Sequence, residues 1–590
     1  MPTSLRSSKS GKFAVRRLAT YGYGAILVGG VGLIVLVQTL PGFEEMTGSR
    51  AAPNFVSILL ALALAAATLA FLIVAPLSAV TRGVIAAWLI GPTALLLAFT
   101  ERIEWTGNMR PVFIFSDPDP SPTAFAPLPV ATEGEAAALP QPTVLDALEY
   151  RGPKRDGWVE PEALPDGFPR VESLPEAWRR PLGEGYAGIA VLGDYLVTLD
   201  QVGDRERVLC LDAATGRERW SYDYEDRFAE ALGGVGPRST PTIAGGRVFA
   251  FGGNGQLSAL DLATGELLWT TDTLAELNLP VVYWGMAGSP LVLAPPLVER
   301  ETVVVCVGGP NSQQANGLAF YDAANGLLLA KSDGETEPFY DADFPADGEQ
   351  EKNAAGYSSP MLATLDGVDL ILNYDGFGLR GHRLSDAKPL FFFEWTNGPR
   401  VNVAQPLVLS DNRVFIGSSY NSGAAMLRID RTNANRPGSD WEIETLWTTS
   451  KLRLKFTSPV YLDGFIYGLD EGILTCLDAL TGKRQWKGGR YGHGQLLLAG
   501  DVLVIQTEED GRVVGVEATP QRHREVFSQD VFDSTRVWNP PTVAGGAIYV
   551  RDHEQIVRLG GVEPEETPQD EPIAKSDGPT LPTALSADAE

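Results

Sequence analysis

Cysteine is nearly missing from this 590-residue chain. Cys210, Cys306 and Cys476 are its only three, none is adjacent to another, and each lies inside a short apolar run. An odd number at such spacing gives neither a disulfide framework nor a thiolate metal site, so they read as small buried strand residues. Histidine is as scarce: His382, His493, His523 and His553 are scattered without metal-ligand spacing. Positive charge is in deficit too, 47 Lys and Arg against 74 Asp and Glu for a net charge of -27. A surface of that sign repels a phosphate backbone, which argues against nucleic-acid binding. The chain also lacks a Gly-x-Ser-x-Gly nucleophile elbow, a Walker loop and a haem-attachment Cys-x-x-Cys-His.

Glycine and proline are abundant instead, 63 and 42 residues spread among short alternating apolar runs. Many turns between short strands point to an all-β body. One stretch is written repeatedly. VLCLDAATGRERW (Val208 to Trp220) returns as LSALDLATGELLW (Leu257 to Trp269) and LTCLDALTGKRQW (Leu474 to Trp486), with looser copies between and after them. Each unit has a leading strand, a Gly or Asp turn, a second strand, a loop and then the Leu-Asp-Ala-Thr-Gly hairpin. Four antiparallel strands per unit make a propeller blade. Leading strands near Ile189, Pro241, Pro290, Pro360, Pro406, Pro459, Leu496 and Pro541 predict eight blades, with seven as the alternative. The last unit stops after three strands. Leu174 to Gly183, carrying Trp178, is expected to supply the fourth and close the ring.

Within the repeat, Asp212, Asp261, Asp322, Asp430 and Asp478 are expected to open the tight turn, where a short carboxylate accepts backbone N–H bonds. Gly216, Gly265, Gly326 and Gly482 are suited to positive φ. Trp220, Trp269, Trp447 and Trp486 are expected to pack between blades.

Before the repeats, residues 1–20 form a basic tail, followed by apolar runs at 21–40, 55–77 and 83–99. Each is near the ~20 residues that cross a hydrocarbon core, which predicts a three-helix transmembrane anchor. The first run also fits a signal peptide. With the basic end in the cytoplasm, three crossings place the rest of the chain outside, on the periplasmic face of an inner membrane. Residues 101–149 read as a Pro-rich tether, 150–560 as the propeller and 561–590 as a disordered acidic tail.

The LDAATGxxxW hairpins resemble the pyrroloquinoline quinone (PQQ)-type propeller repeat, found in quinoprotein dehydrogenases and in scaffold propellers of the outer-membrane assembly factor type. The lead-in YRGPKRDGWVEPE, with GPRSTPTIAGGRVFA, YSSPMLAT and VEATP, is similar to bacterial PQQ-binding-like propeller proteins. The resemblance covers about Tyr150 to Gly560 and implies a fold more than an activity. It implies that any ligand sits near the central channel. The candidates at that position are Arg238, Trp284, Tyr357, Asn402, Lys455, His493, Trp538 and Asn539. A planar quinone needs an aromatic face and cationic or amide donors, and its Ca²⁺ needs carboxylate and amide oxygens. A vicinal cysteine pair, common in quinoprotein alcohol dehydrogenases, is missing. No carboxylate and amide set for the metal stands out either.

Two readings are open. One is a membrane-anchored scaffold that binds an envelope protein or polymer. The other is a PQQ- and Ca²⁺-dependent membrane dehydrogenase acting on an alcohol or sugar.

Overall fold

The reason the repeated turn builds a ring is visible at Asp212 in the computed structural model. Its Oδ1 accepts the Thr215 N–H at 2.9 Å and the Thr215 hydroxyl at 2.8 Å, and Gly216 turns the chain at φ +71°. A Cβ on Gly216 would fall 2.7 Å from the ring of Trp178, so the Trp of the preceding blade lies on the bare glycine. That indole then donates to Ala213 O at 3.1 Å. The arrangement recurs for Trp220 over Gly265, Trp269 over Gly326 and Trp447 over Gly482. Their indoles donate to Leu262, Ala323 and Ala479 O respectively. Each turn is therefore a seat for its neighbour.

The structure describes residues 7–40, 51–75, 77–115, 139–308, 317–332, 354–433 and 440–561, apart from positions 166, 171–172, 231 and 535. Eight sheets form the ring. Numbered in chain order as blades 1 to 8, their leading strands are Ala190–Leu192, Thr242–Ala244, Leu291–Leu293, Met361–Leu365, Leu407–Leu409, Val460–Leu462, Gln495–Ala499 and Thr542–Ala544, and Trp158–Val159 adds a parallel strand beside Gln495–Ala499. Each agrees with a predicted leading strand. Glu176–Pro181 pairs antiparallel with Gln555–Gly560, so the expected closing strand completes blade 8. Apolar side chains fill the seams, Cys210 and Trp220 of blade 1 packing against Val248 and Leu260 of blade 2. All three cysteines are free and buried.

Asp430 departs from expectation. It lies within strand Gly423–Arg431, where its Oδ1 accepts from Asn412 Nδ2 at 2.6 Å, and it opens no tight turn. Blade 5 has exchanged the short hairpin for two nine-residue strands.

The anchor is also corrected. Helices form at Ser7–Thr39, Ala51–Val74 and Ala79–Phe99. Among the described residues two of them, Tyr21–Thr39 and Ala52–Val74, are long and apolar enough to cross a membrane, not three. The first lies near the N-terminus, where a signal sequence would pass the same test. The third apolar run lies within the helix Ala79–Phe99.

Nor are residues 101–149 a plain tether. Thr100–Trp105 and Pro111–Phe115 pair as a β-hairpin, and Ala147 bridges to Val191 on the ring. Positions 116–138 of the expected tether, and 562–590 of the expected tail, lie outside the described residues.

Candidate functional site

Two segments that precede the ring make contacts with the residues at its leading strands. The first is the hairpin, whose turn closes with Met109 N donating to Thr106 O at 2.8 Å. Gly107 at its tip donates to Glu508 Oε1 at 2.7 Å and accepts from Lys455 Nζ. The second is the lead-in. Arg155, buried, donates to the carbonyls of Ser289 at 3.0 Å, Pro360 at 2.8 Å and Pro290, while its Nε meets Glu149 at 2.9 Å. Arg151 does the same for Leu496 O at 2.8 Å and Pro459 O at 2.7 Å. Backbone carbonyls at the head of the leading strands need donors, and the two arginines supply them.

A cavity of about 220 Å³ remains between the segments, with Trp105, Thr106, Gly107 and Met109 on the hairpin side and Tyr150 from the lead-in. Five of the eight candidates line it: Arg238, Trp284, Tyr357, Lys455 and Trp538, joined by Tyr420 and Phe456. The wall is aromatic. Trp538 lies 5.4 Å from Phe456 and 5.2 Å from Tyr186, and Trp284 lies 6.0 Å from Tyr357. Burial pushes the Tyr357 hydroxyl pKa upward, opposed by the hydrogen bond from Trp284 N.

The two cations are already engaged. Arg238 donates to the carbonyls of Gly233, Gly234 and Gly236 and lies 4.5 Å over the Phe228 ring, and burial lowers its pKa to about 10. Burial also lowers the pKa of Lys455, against the pull of Glu471 and Glu508. Besides Gly107, Glu508 accepts Trp538 Nε1 at 2.8 Å and His493 N at 2.7 Å. Burial raises its pKa and those three donors oppose the rise.

The remaining candidates point elsewhere. Asn402 Nδ2 donates to Asp375 O and Trp395 O, both at 2.8 Å, and Asn539 Nδ2 donates to Ala187 O at 2.9 Å. Both are fully buried and tie loops together. His493 serves the hairpin, its Nε2 lying 2.9 Å from Asn108 Oδ1. Sequence reasoning missed Gly107, Arg151, Arg155 and Glu508 as channel residues. The available signals were a strand–turn–strand alternation in TERIEWTGNMRPVFIF and a basic pair just ahead of the ring in an acidic chain.

These residues do not fit the quinone and its Ca²⁺. The Glu508 carboxylate at the hairpin tip holds three protein donors, Asn402 Oδ1 accepts from Asn397 Nδ2 at 3.3 Å, and both cations hold carbonyls. Among the described residues no group of three or more His, Cys, Asp or Glu is placed to share a metal.

A family model described as outer membrane protein assembly factor BamB matches residues 175–281 and 281–488, more than half of the chain. The quinohemoprotein alcohol dehydrogenase ADH IIB of Pseudomonas putida is 29% identical over 124 residues, 21% of this chain and 16% of that protein. The chain thus aligns with a small part of that relative's length. Among solved structures it is similar to BamB from Moraxella catarrhalis, at 16% identity and TM-score 0.45, covering 66% of this chain and 99% of that one. It is also similar to quinohemoprotein alcohol dehydrogenase from Comamonas testosteroni, at 14% identity and TM-score 0.43, covering 71% and 81%.

Proposed function

The chain belongs to the PQQ-like β-propeller repeat family, and from that premise we propose that it is a membrane-anchored binding module rather than a dehydrogenase. One observation carries the reading. The channel residues that would hold a cofactor are spent on the chain's own hairpin and backbone, Glu508 and Lys455 on Gly107 and Arg238 on three glycine carbonyls. A propeller whose centre is occupied by its own chain offers its faces and rim to an envelope protein or polymer. The matched family's description, an outer-membrane assembly factor, supports a role in the envelope.

The propeller stands outside the cytoplasm in this proposal. Arg6, Lys9, Lys12, Arg16 and Arg17 favour a cytoplasmic N-terminus. The second helix begins one crossing away, and there Asn54 Nδ2 donates to Asn108 O of the channel hairpin at 2.8 Å, so in this proposal the helix Ala79–Phe99 carries the chain back to that side after the second crossing. Labelling of a Leu480→Cys variant, at a position 73% exposed, by a membrane-impermeant maleimide in intact spheroplasts reads the side directly.

The activity test is a titration of the purified full-length protein with PQQ and Ca²⁺ into the high micromolar range. No quinone absorbance change and no acceptor reduction with alcohols or sugars are expected. Saturable binding with turnover would overturn the reading.

A further inference from the structure

The contacts at the channel mouth have the specificity of a receptor. Gly107 is held at both polar ends of its backbone, by Glu508 Oε1 on its N–H at 2.7 Å and by Lys455 Nζ on its carbonyl. His493 Nε2 lies 2.9 Å from the Asn108 side chain. A Cβ at position 107 would fall 2.6 Å from His493 Cδ2, 2.8 Å from Glu508 Oε1 and 2.9 Å from Phe456 Cε2. Only glycine fits there. The holding groups come from separate loops, Lys455 and Phe456 before blade 6, His493 before blade 7 and Glu508 within blade 7.

What they hold is not part of the ring. The hairpin strands pair with each other alone, in a two-stranded sheet, and Ile103 and Phe115 are exposed. An isolated two-stranded hairpin is marginal in water, so its ordering depends on the turn contacts. The ring closes through Glu176–Pro181 and does not need the hairpin.

We propose that the channel mouth is a receptor for a Gly-Asn β-turn, filled in cis by the chain's own hairpin and open to the same turn on another chain when that hairpin withdraws. It rests on the binding-module reading and names the partner's chemistry: a hairpin with glycine and asparagine at its tip, whose backbone is read by a buried carboxylate and ammonium.

The probe is a fluorescent, disulfide-closed peptide carrying Glu104 to Val112, titrated against full-length protein in detergent. In wild type the seat is filled, and binding is expected to be weak. Gly107→Val cannot be seated, so the variant should release its hairpin, raise chymotryptic cleavage after Trp105, and bind the peptide at least tenfold more tightly. Adding Lys455→Gln to that variant should reduce the gain about tenfold, and a peptide with Val in place of Gly should not bind. Co-expression of differently tagged wild-type and Gly107→Val copies distinguishes the sources. Co-purification assigns the turn to a second copy, and separation with retained peptide binding assigns it to a different protein. A Gly107→Val protein that keeps Trp105 protected, or releases its hairpin and binds the peptide no better than wild type, overturns the proposal. A functional quinone site would sink the binding-module reading through an independent measurement.

Discussion

The tryptophans at the blade seams and those at the channel obey different rules. At a seam, Trp269 places its ring on Gly326 of the next blade and its N–H on Ala323 O at 3.0 Å, and Trp178, Trp220 and Trp447 do the same one or more seams away. At the channel nothing repeats: Trp538 donates to the Glu508 carboxylate, while Trp284 stands edge-on to Tyr283 and Tyr357. A seam must satisfy one geometric demand, made again at the next blade. A channel faces a different neighbour at each position, so its residues answer to whatever occupies the centre.

The largest effect expected from this difference is Trp269→Ala. It removes a buried aromatic and orphans a carbonyl, at about 3–5 kcal/mol. Trp284→Ala, only half-buried, should cost under about 1 kcal/mol. Denaturant midpoints of the two full-length variants in detergent measure both, and equal losses would erase the distinction between seam and channel.

Arg155→Met sharpens it from the other side. Arg155 sits at the channel yet ties Ser289, Pro290 and Pro360 of blades 3 and 4 to Glu149. Removing one partner of a buried pair costs about 3 kcal/mol. Burial already raises the Glu149 pKa, with Arg155 opposing the rise, so the variant should also leave that carboxyl easier to protonate. A loss below about 1 kcal/mol would mean that the lead-in caps the ring without bracing it.

The frame was legible because it repeats. Eight leading strands, the closing strand at Trp178 and the glycine seats all recur along the chain, and a residue that recurs can be checked against its copies. The hairpin had no copy, and its key contact, Gly107 to Glu508, joins positions 401 apart in the chain. No local pattern carries that distance. Asn402 and Asn539 read as ligand donors because their positions were right; which way an amide turns is decided by the carbonyls around it, Asp375 O, Trp395 O and Ala187 O here. Asp430 failed for the opposite reason. It kept the residue type of the repeat after the turn itself had been replaced by longer strands.

The smallest effect belongs to a seam contact that departs from the repeat. Between blades 1 and 2, buried Glu206 accepts Tyr224 OH at 2.7 Å and the Gly253 N–H of the next blade at 3.0 Å. Burial pushes its carboxyl up to about 7, against the lowering effect of those two donors. The folded protein therefore retains this proton over a pH range in which the unfolded chain, near the ordinary 4.5, has lost it. Its contribution to stability is fully present below about pH 4.5, falls as pH rises towards 7, and is constant above. At ~1.4 kcal/mol per pH unit, the loss from pH 5 to pH 8 is about 2 kcal/mol. Glu206→Gln does not titrate, so its stability relative to wild type should improve by that amount across the same window. A difference that stays flat with pH would show that water reaches this seam, and that a carboxylate there is no more costly than the indoles that close its neighbours.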